Sequence, residues 1–123
     1  MAAFDPVADI REAGQEQQMS RSEFLKSVTP HLIADVRMFN TTDGGRKGPA
    51  YAGWGCPCMT SKAPPLVGYD AWPLIGDDPL LPGDCRRLGF YFLSYEEAVP
   101  GVRQAGRFYL WEGGFIGEAE VVD

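Results

Sequence analysis

Glycine and proline interrupt the chain every few residues from Leu32 onward, and this punctuation restricts the folds that the sequence can adopt. The 123 residues include 15 glycines and 10 prolines. The stretches between them are short and rich in β-branched and aromatic side chains, which are typical of strands. Because apolar residues make up 45% of the chain and charged residues 23%, the composition is that of a folded globular domain. The sequence therefore predicts one mainly β domain.

Alternating side chains identify several candidate strands. Ala34, Val36 and Met38 recur at every second position, so they share one face of a strand. The strongest strand pattern covers residues 88–95. Weaker patterns cover residues 66–69 and residues 72–75. In the second of these, Pro73 restricts the strand to an edge or a bulge. A longer strand is indicated over residues 51–60, with an interruption at residues 55–58.

The clearest local signal is a hairpin close to the C-terminal end. Two strand-like segments, residues 107–112 and 115–122, flank Gly113-Gly114. A type I′ turn requires positive φ at both central positions, and glycine adopts it there without strain. About six short strands separated by turn signals are typical of an all-β barrel or sandwich.

The first part of the chain differs from the rest, and we interpret it as a separate N-terminal arm. Asp5-Pro6 is typical of a helix start, although the polar stretch that follows has only a weak apolar stripe. Ser20-x-x-Glu23 is a capping-box pattern, which predicts a short helix near residues 20–27. We expect residues 1–26 to form a partly helical arm beside a β domain of residues 27–123.

The charge of the chain narrows the classes of partner. A formal net charge of −6 weighs against nucleic acid, because phosphate contacts require lysine and arginine. The last twelve residues hold four acids and no base, which predicts an acidic edge. No run approaches the ~18 apolar residues of a membrane span, the first residues lack a secretory pattern, and no GxxxxGK(S/T) motif indicates a nucleotide site. We expect a cytoplasmic protein without a membrane or nucleotide partner.

Three cysteines and one histidine have the best metal-ligand chemistry in the chain. Cys56, Cys58, Cys85 and His31 supply soft ligands, but the Cys-Pro-Cys spacing is tighter than that of zinc sites. No cation lies beside the first two cysteines to lower a thiol pKa for redox chemistry. His31 has no recognisable nucleophile or orienting partner, which favours a structural hydrogen bond. We therefore expect no catalytic residue, no cofactor and no metal.

Several short fragments occur in a fixed order along the chain. They are Ser27-Val-Thr-Pro-His31, Ile33-Ala-Asp-Val-Arg37, Asp43-Gly-Gly-Arg46, Pro49, Gly53-Trp54, Leu81-Pro-Gly-Asp84 and Glu112-Gly-Gly-x-x-Gly117. In this order and at this spacing they resemble the C-terminal domain of bacterial elongation factor Tu, over residues 27–122 of this chain. The resemblance implies a six-stranded antiparallel Greek-key barrel, in agreement with the number of strand patterns. In that family the domain grips the T-stem of aminoacyl-tRNA and packs against a GTPase domain.

Most of the side chains that the resemblance would place against tRNA are replaced in this chain. The hairpin arginine of the family corresponds to Phe115, and the arginine before its Glu-Gly-Gly corresponds to Trp111. An Arg-Pro-Gln segment corresponds to Gly55-Cys-Pro-Cys58, and a His-Thr pair corresponds to Lys47-Gly48. Arg46 is retained. Because each lost phosphate contact weakens salt-dependent affinity, these replacements imply little tRNA binding.

The retained and replaced positions, together with Trp54, define a candidate partner surface: Arg46, Lys47, Trp54, Cys58, Trp111 and Phe115. Aromatic side chains on one outer face would form an apolar patch suited to a protein, whereas in the competing interpretation the two tryptophans fill the core. We expect a non-catalytic binding module for a protein partner, of a regulatory or immunity type that imitates the factor. The alternatives are a weak tRNA-binding module linked to translation and, last, an enzyme of unrecognised type.

Overall fold

Six short strands and two short helices make up residues 20–123, the part of the chain that the computed structural model describes. The helices are α1 (Arg21–Ser27) and α2 (Tyr95–Ala105), and the strands are β1 (Leu32–Met38), β2 (Cys56–Met59), β3 (Gly68–Pro73), β4 (Cys85–Phe92), β5 (Arg107–Trp111) and β6 (Phe115–Val121). A single 3-10 turn, Thr41–Asp43, lies between β1 and β2. The helix start predicted at Asp5-Pro6 lies outside the described residues.

The strands form a closed barrel in the order β1-β4-β3-β2-β5-β6. Every neighbouring pair is antiparallel. Strands β2, β3 and β4 are consecutive neighbours and β1 lies beside β4, which is the Greek-key arrangement. The predicted six-stranded antiparallel Greek-key barrel is therefore confirmed, and the sandwich is excluded.

Alternation along each strand fills the barrel with apolar side chains. In β1 the side chains of Leu32, Ala34, Val36 and Met38 are buried, and those between them face outward. The largest fully buried side chains are those of Phe90, Phe92, Phe108, Leu32, Met38, Leu80, Leu110, Val36, Val102, Pro73 and Cys58. Because a closed barrel has no free strand edge, a binding site on the strands must use their outer faces or the connections between them.

The two ends of the barrel differ. At one end, which we call the helix end, α2 connects β4 to β5 and places Ala98 and Val102 in the core. The other end, which we call the hairpin end, carries the turn between β5 and β6 and the long connection between β1 and β2. Helix α2 was not predicted: the strand expected over residues 88–95 ends at Phe92.

Three further predictions differ from the structure. The separate strand patterns over residues 66–69 and 72–75 correspond to the single strand β3. The strand beside β3 is Cys56–Met59, which includes the segment expected to interrupt a strand over residues 51–60. At the hairpin, Gly113 has positive φ (71°) but Gly114 does not, so the turn is not type I′. The backbone N–H of Glu112 instead donates to the carbonyl of Gly114 at 2.8 Å, beside a register shift at the end of β5.

The predicted capping box is present at the start of α1. The side chain of Ser20 accepts from the backbone N–H of Glu23 at 3.2 Å, and the Glu23 carboxylate accepts from the backbone N–H of Ser20 at 3.0 Å. Leu25 is buried, and the ring of Phe24 packs edge-on against Tyr91, with centroids 5.6 Å apart.

Neither helix within residues 20–123 is long and apolar enough to cross a lipid bilayer.

Candidate binding surface

The carboxylate of Glu112 organises the hairpin end. One of its oxygens accepts from Arg46 Nε at 2.9 Å, and the other accepts from Trp54 Nε1 at 3.0 Å. The Arg46 guanidinium also lies 5.0 Å from the centroid of the Trp54 ring. We call these three residues the Glu112 network. It connects the loop before β2 to the turn between β5 and β6.

The charges of the Glu112 network are matched. Partial burial acts to raise the pKa of Glu112, but the hydrogen bonds from Trp54 and Arg46 and the positive charge of Arg46 hold it below its ordinary value. The guanidinium makes two further hydrogen bonds, to the carbonyls of Gly48 and Pro49. Arg46 therefore uses three of its five N–H donors within the protein and is fixed in place by the fold.

An aromatic face lies beside this network, on the outside of β5 and β6. The rings of Trp111 and Phe115 pack edge-on with centroids 5.0 Å apart, and those of Tyr109 and Phe115 are 6.0 Å apart. Phe39, which follows β1, lies next to β6, since its backbone N–H donates to the carbonyl of Ile116 at 2.9 Å. We call Phe39, Tyr109, Trp111 and Phe115 the aromatic cluster; all four are half-buried.

The Lys62 side chain reaches the aromatic cluster from the connection between β2 and β3. Its Nζ atom lies 5.3 Å from the ring centroid of Tyr109, 5.7 Å from that of Phe115 and 5.8 Å from that of Phe39. The Arg37 guanidinium lies 5.0 Å from the centroid of the Phe39 ring. The cluster therefore already holds two cations of its own chain.

The structure brings most of the predicted surface together at the hairpin end. Arg46 and Trp54 meet at Glu112, and Trp111 and Phe115 flank the same turn. Lys47 is exposed beside them. Neither tryptophan is fully buried, so they do not fill the core as in the competing interpretation, although Trp54 packs against the core cluster.

Cys58 is the one predicted surface residue that the structure contradicts. It is 0% exposed, because alternation along β2 turns both cysteines of the Cys-Pro-Cys segment into the barrel. Burial raises the pKa of the Cys58 thiol well above its ordinary value, and a hydrogen bond with Cys56 adds to this effect. Cys58 is a core residue and is unavailable to a partner.

Four residues of this surface were not predicted from the sequence: Phe39, Tyr109, Lys62 and Glu112. A pattern could have found Tyr109, since it lies two residues before Trp111 on a predicted strand and so shares its face. Nothing local marks Phe39 or Lys62, because they reach the cluster only through the closure of the barrel. Glu112 was read as part of an acidic edge.

That acidic edge is neutralised by arginines. Glu112 pairs with Arg46, Glu118 with Arg37 and Arg107, Glu120 with Arg107, and Asp123 with Arg103. Within residues 20–123, by contrast, Lys47 and Lys62 have no carboxylate within salt-bridge distance. These two unpaired lysines lie near the aromatic surface, a third cation that is unpaired in the described part of the chain, Arg21, lies over the ring of Trp72, and the predicted acidic edge carries little uncompensated charge.

His31 and the cysteines do not assemble into a metal site. His31 stacks between Tyr91 and Tyr95, each with centroids 4.6 Å away, and its Nδ1 accepts from the backbone N–H of Phe92 at 2.9 Å. This is the structural hydrogen bond that the sequence favoured. Cys85 is exposed, unlike the other two cysteines. Among the residues that the structure describes, no group of three or more histidine, cysteine or acidic side chains is placed to hold a metal ion.

The hairpin end thus presents a rigid aromatic and cationic surface on a barrel whose interior is filled. No protein-family model matches the chain, and no curated protein matches it significantly.

Proposed function

We propose that this chain is a non-catalytic binding module of the cytoplasm that engages a protein partner at the hairpin end of its barrel. The surface comprises Arg46, Lys47, Trp54, Trp111 and Phe115. The observation that carries the proposal is the aromatic cluster, which lies on the outside of the barrel beside β5 and β6 and is half-buried rather than buried. Aromatic side chains and arginine are enriched at protein interfaces.

The surface is also preorganised. The indole of Trp54 is held by Glu112 at 3.0 Å, and Trp111 and Phe115 are packed against each other. Side chains that are already fixed lose little conformational entropy on binding. Rigid rings beside an exposed lysine, Lys47, therefore favour a specific contact with a protein over nonspecific adhesion.

The resemblance to the C-terminal domain of elongation factor Tu supports a more specific form of the proposal. The closed antiparallel barrel is the architecture that this resemblance implies. At two positions where the family has arginine, this chain has Phe115 and Trp111. On this proposal the chain is a regulatory or immunity-type protein that imitates the factor and competes for its protein partners.

Binding of tRNA has less support. Arg46, the cation that the resemblance retains, donates to Glu112 and to two backbone carbonyls. A guanidinium that already donates to a carboxylate and to two carbonyls is less available to a phosphate than a free one. The lysines of this surface are too few for strong electrostatic binding.

The experiment is a comparative pulldown from cell lysate at moderate salt. The wild-type chain is compared with the double variant Trp111→Ala, Phe115→Ala. The matched control is Leu93→Ala, which removes a 55% exposed apolar side chain at the helix end. We expect the wild type and the control to retain the same stoichiometric protein and the double variant to lose it, while circular dichroism shows that all three are folded.

Two outcomes would overturn the proposal. Equal retention of the protein by the double variant would place the contact elsewhere on the barrel. Retention of tRNA by the wild type, with an affinity that falls steeply as salt rises, would assign the surface to RNA instead.

A further inference from the structure

The ammonium group of Lys62, an exposed residue, lies over three rings. Its Nζ lies within 5.3 to 5.8 Å of the centroids of Tyr109, Phe115 and Phe39. Within residues 20–123 no carboxylate lies close enough to form a salt bridge with it. The contacts that hold this cation in the described structure are therefore ring faces, and we call the three rings the cage.

The walls of the cage are fixed by the barrel. Tyr109 is paired with Met59 on one side and Glu118 on the other, and Phe115 is paired with Trp111. The backbone of Phe39 is held by its hydrogen bond to Ile116. The barrel consequently fixes the backbone positions of all three rings, independently of Lys62.

The present occupant, unlike the walls, sits on an exposed connection. Lys62 belongs to the segment between β2 and β3, where residues 62–67 are all exposed. That segment is closed by a backbone hydrogen bond from Thr60 to Val67 at 3.0 Å. The Lys62 side chain can therefore leave the cage by rotation about its own bonds, without any change in the barrel.

Ring faces favour some cations over others. The quadrupole of an aromatic ring attracts positive charge, and cages of such rings are the known solution for quaternary ammonium groups. An unmodified lysine ammonium is compact and strongly hydrated, so it gives up water reluctantly on entering a cage. Each methyl group removes an N–H donor and adds apolar surface, so a methylated ammonium suits the rings better than Lys62 itself.

We propose that Phe39, Tyr109 and Phe115 form a binding site for a methylated lysine side chain of a partner polypeptide, and that Lys62 is an internal stand-in that the partner displaces. The proposal rests on the proposed function, since it names the chemistry that a protein partner presents to this surface. The proposed occupant is a lysine side chain because the lysine Lys62 already lies over the three rings.

The test is calorimetric titration with a short peptide that carries one trimethyllysine and is otherwise uncharged. We expect saturable binding to the wild type, and binding of the unmethylated peptide that is weaker by about tenfold. Lys62→Ala should bind the trimethyllysine peptide several-fold more tightly, because a site that is partly self-occupied has an apparent affinity reduced by its free fraction. Lys26→Ala, which removes an exposed lysine of α1 outside the proposed surface, should leave the affinity unchanged.

Phe115→Leu keeps an apolar side chain but removes a ring, so it should lose peptide binding while its thermal melt shows a folded chain. The absence of saturable binding to Lys62→Ala, or equal binding of the two peptides, would overturn the inference. Equal affinity for free tetramethylammonium would assign the cage to a small cation and overturn the choice of a polypeptide.

Failure here can be told apart from failure of the proposed function. If the peptide does not bind but the pulldown partner is still lost with Trp111→Ala, Phe115→Ala, the interface stands and the cage chemistry alone is wrong. If the pulldown retains no protein and the peptide still binds selectively, the cage stands and the proposed interface fails.

Discussion

The indole N–H of Trp54 donates to the carboxylate of Glu112 at 3.0 Å, across 58 residues of chain. The same carboxylate accepts from Arg46 through its other oxygen. The contact fixes the loop before β2 against the hairpin turn, and it holds the tryptophan ring beside Arg46. A single acidic residue therefore both stabilises the fold and shapes the candidate surface.

Replacing Glu112 with glutamine should destabilise the protein modestly. Arg46 would lose its charge partner. Because glutamine has only one acceptor oxygen, either Arg46 or Trp54 would also lose its hydrogen bond. Because the Glu112 side chain is 43% exposed, we expect the free energy of unfolding in urea to fall by about 1 kcal/mol, rather than the ~3 kcal/mol of a strong charged bond.

The control for this variant is Glu120→Gln. Its carboxylate lies 3.8 Å from Arg107 and its side chain is 64% exposed, so the free energy of unfolding should change by less than about 0.5 kcal/mol. Equal losses in the two variants would show that Glu112 acts only as a general surface charge.

The stacked position of His31 should make stability depend on pH. Burial lowers the pKa of His31 below its ordinary value of 6.5, and its Nδ1 must be unprotonated to accept from Phe92. Between the folded pKa and 6.5 the unfolded chain binds more protons than the folded one. The free energy of unfolding should therefore decrease as the pH falls below 6.5 and level off below the folded pKa.

The measurement is urea denaturation of the wild type and His31→Asn at a series of pH values from neutral to mildly acidic. Asparagine offers an oxygen acceptor but does not titrate, so the variant should lack this component of the pH dependence. An NMR titration that placed the pKa of His31 above 6.5 would contradict the prediction directly.

The strands could be predicted where the sequence is self-consistent. In β1, alternation and β-branched residues agree, and the Gly113-Gly114 turn marks the β5–β6 hairpin although its detailed geometry differs. The strand β2 could not be predicted in this way. Its inward residues are Cys56 and Cys58, and a Cys-Pro-Cys segment has the composition of a turn.

The helix α2 escaped prediction for a related reason. Its fully buried residues are Ala98 and Val102, which form a very narrow apolar stripe, and Pro100 lies in the middle of it. The candidate site also contains residues that could be predicted from the sequence and residues that could not. Trp111 and Phe115 flank one turn and could be paired from the sequence, whereas Lys62 meets Phe39 only after the whole barrel has closed.

The burial of α2 leads to a third prediction. Val102 is 0% exposed and packs in the barrel core, so Val102→Ala should lower the free energy of unfolding by about 1 to 3 kcal/mol through lost burial and a residual cavity. Gln104→Ala, an exposed position of the same helix, should have little effect. Similar urea midpoints for Val102→Ala and the wild type would mean that α2 is not part of the core.

The three thiols should differ sharply in reactivity towards an aromatic disulfide reagent. Cys85 is exposed, whereas Cys56 and Cys58 are buried, and burial raises the pKa of Cys58, which keeps it in the unreactive protonated form. We expect one thiol to react quickly in the native protein and the other two to react only after denaturation. In Cys85→Ser the fast phase should disappear while denaturation still releases two thiols. Rapid reaction of native Cys85→Ser would show that β2 opens readily, and the barrel would then be far less rigid at its candidate surface than its packing implies.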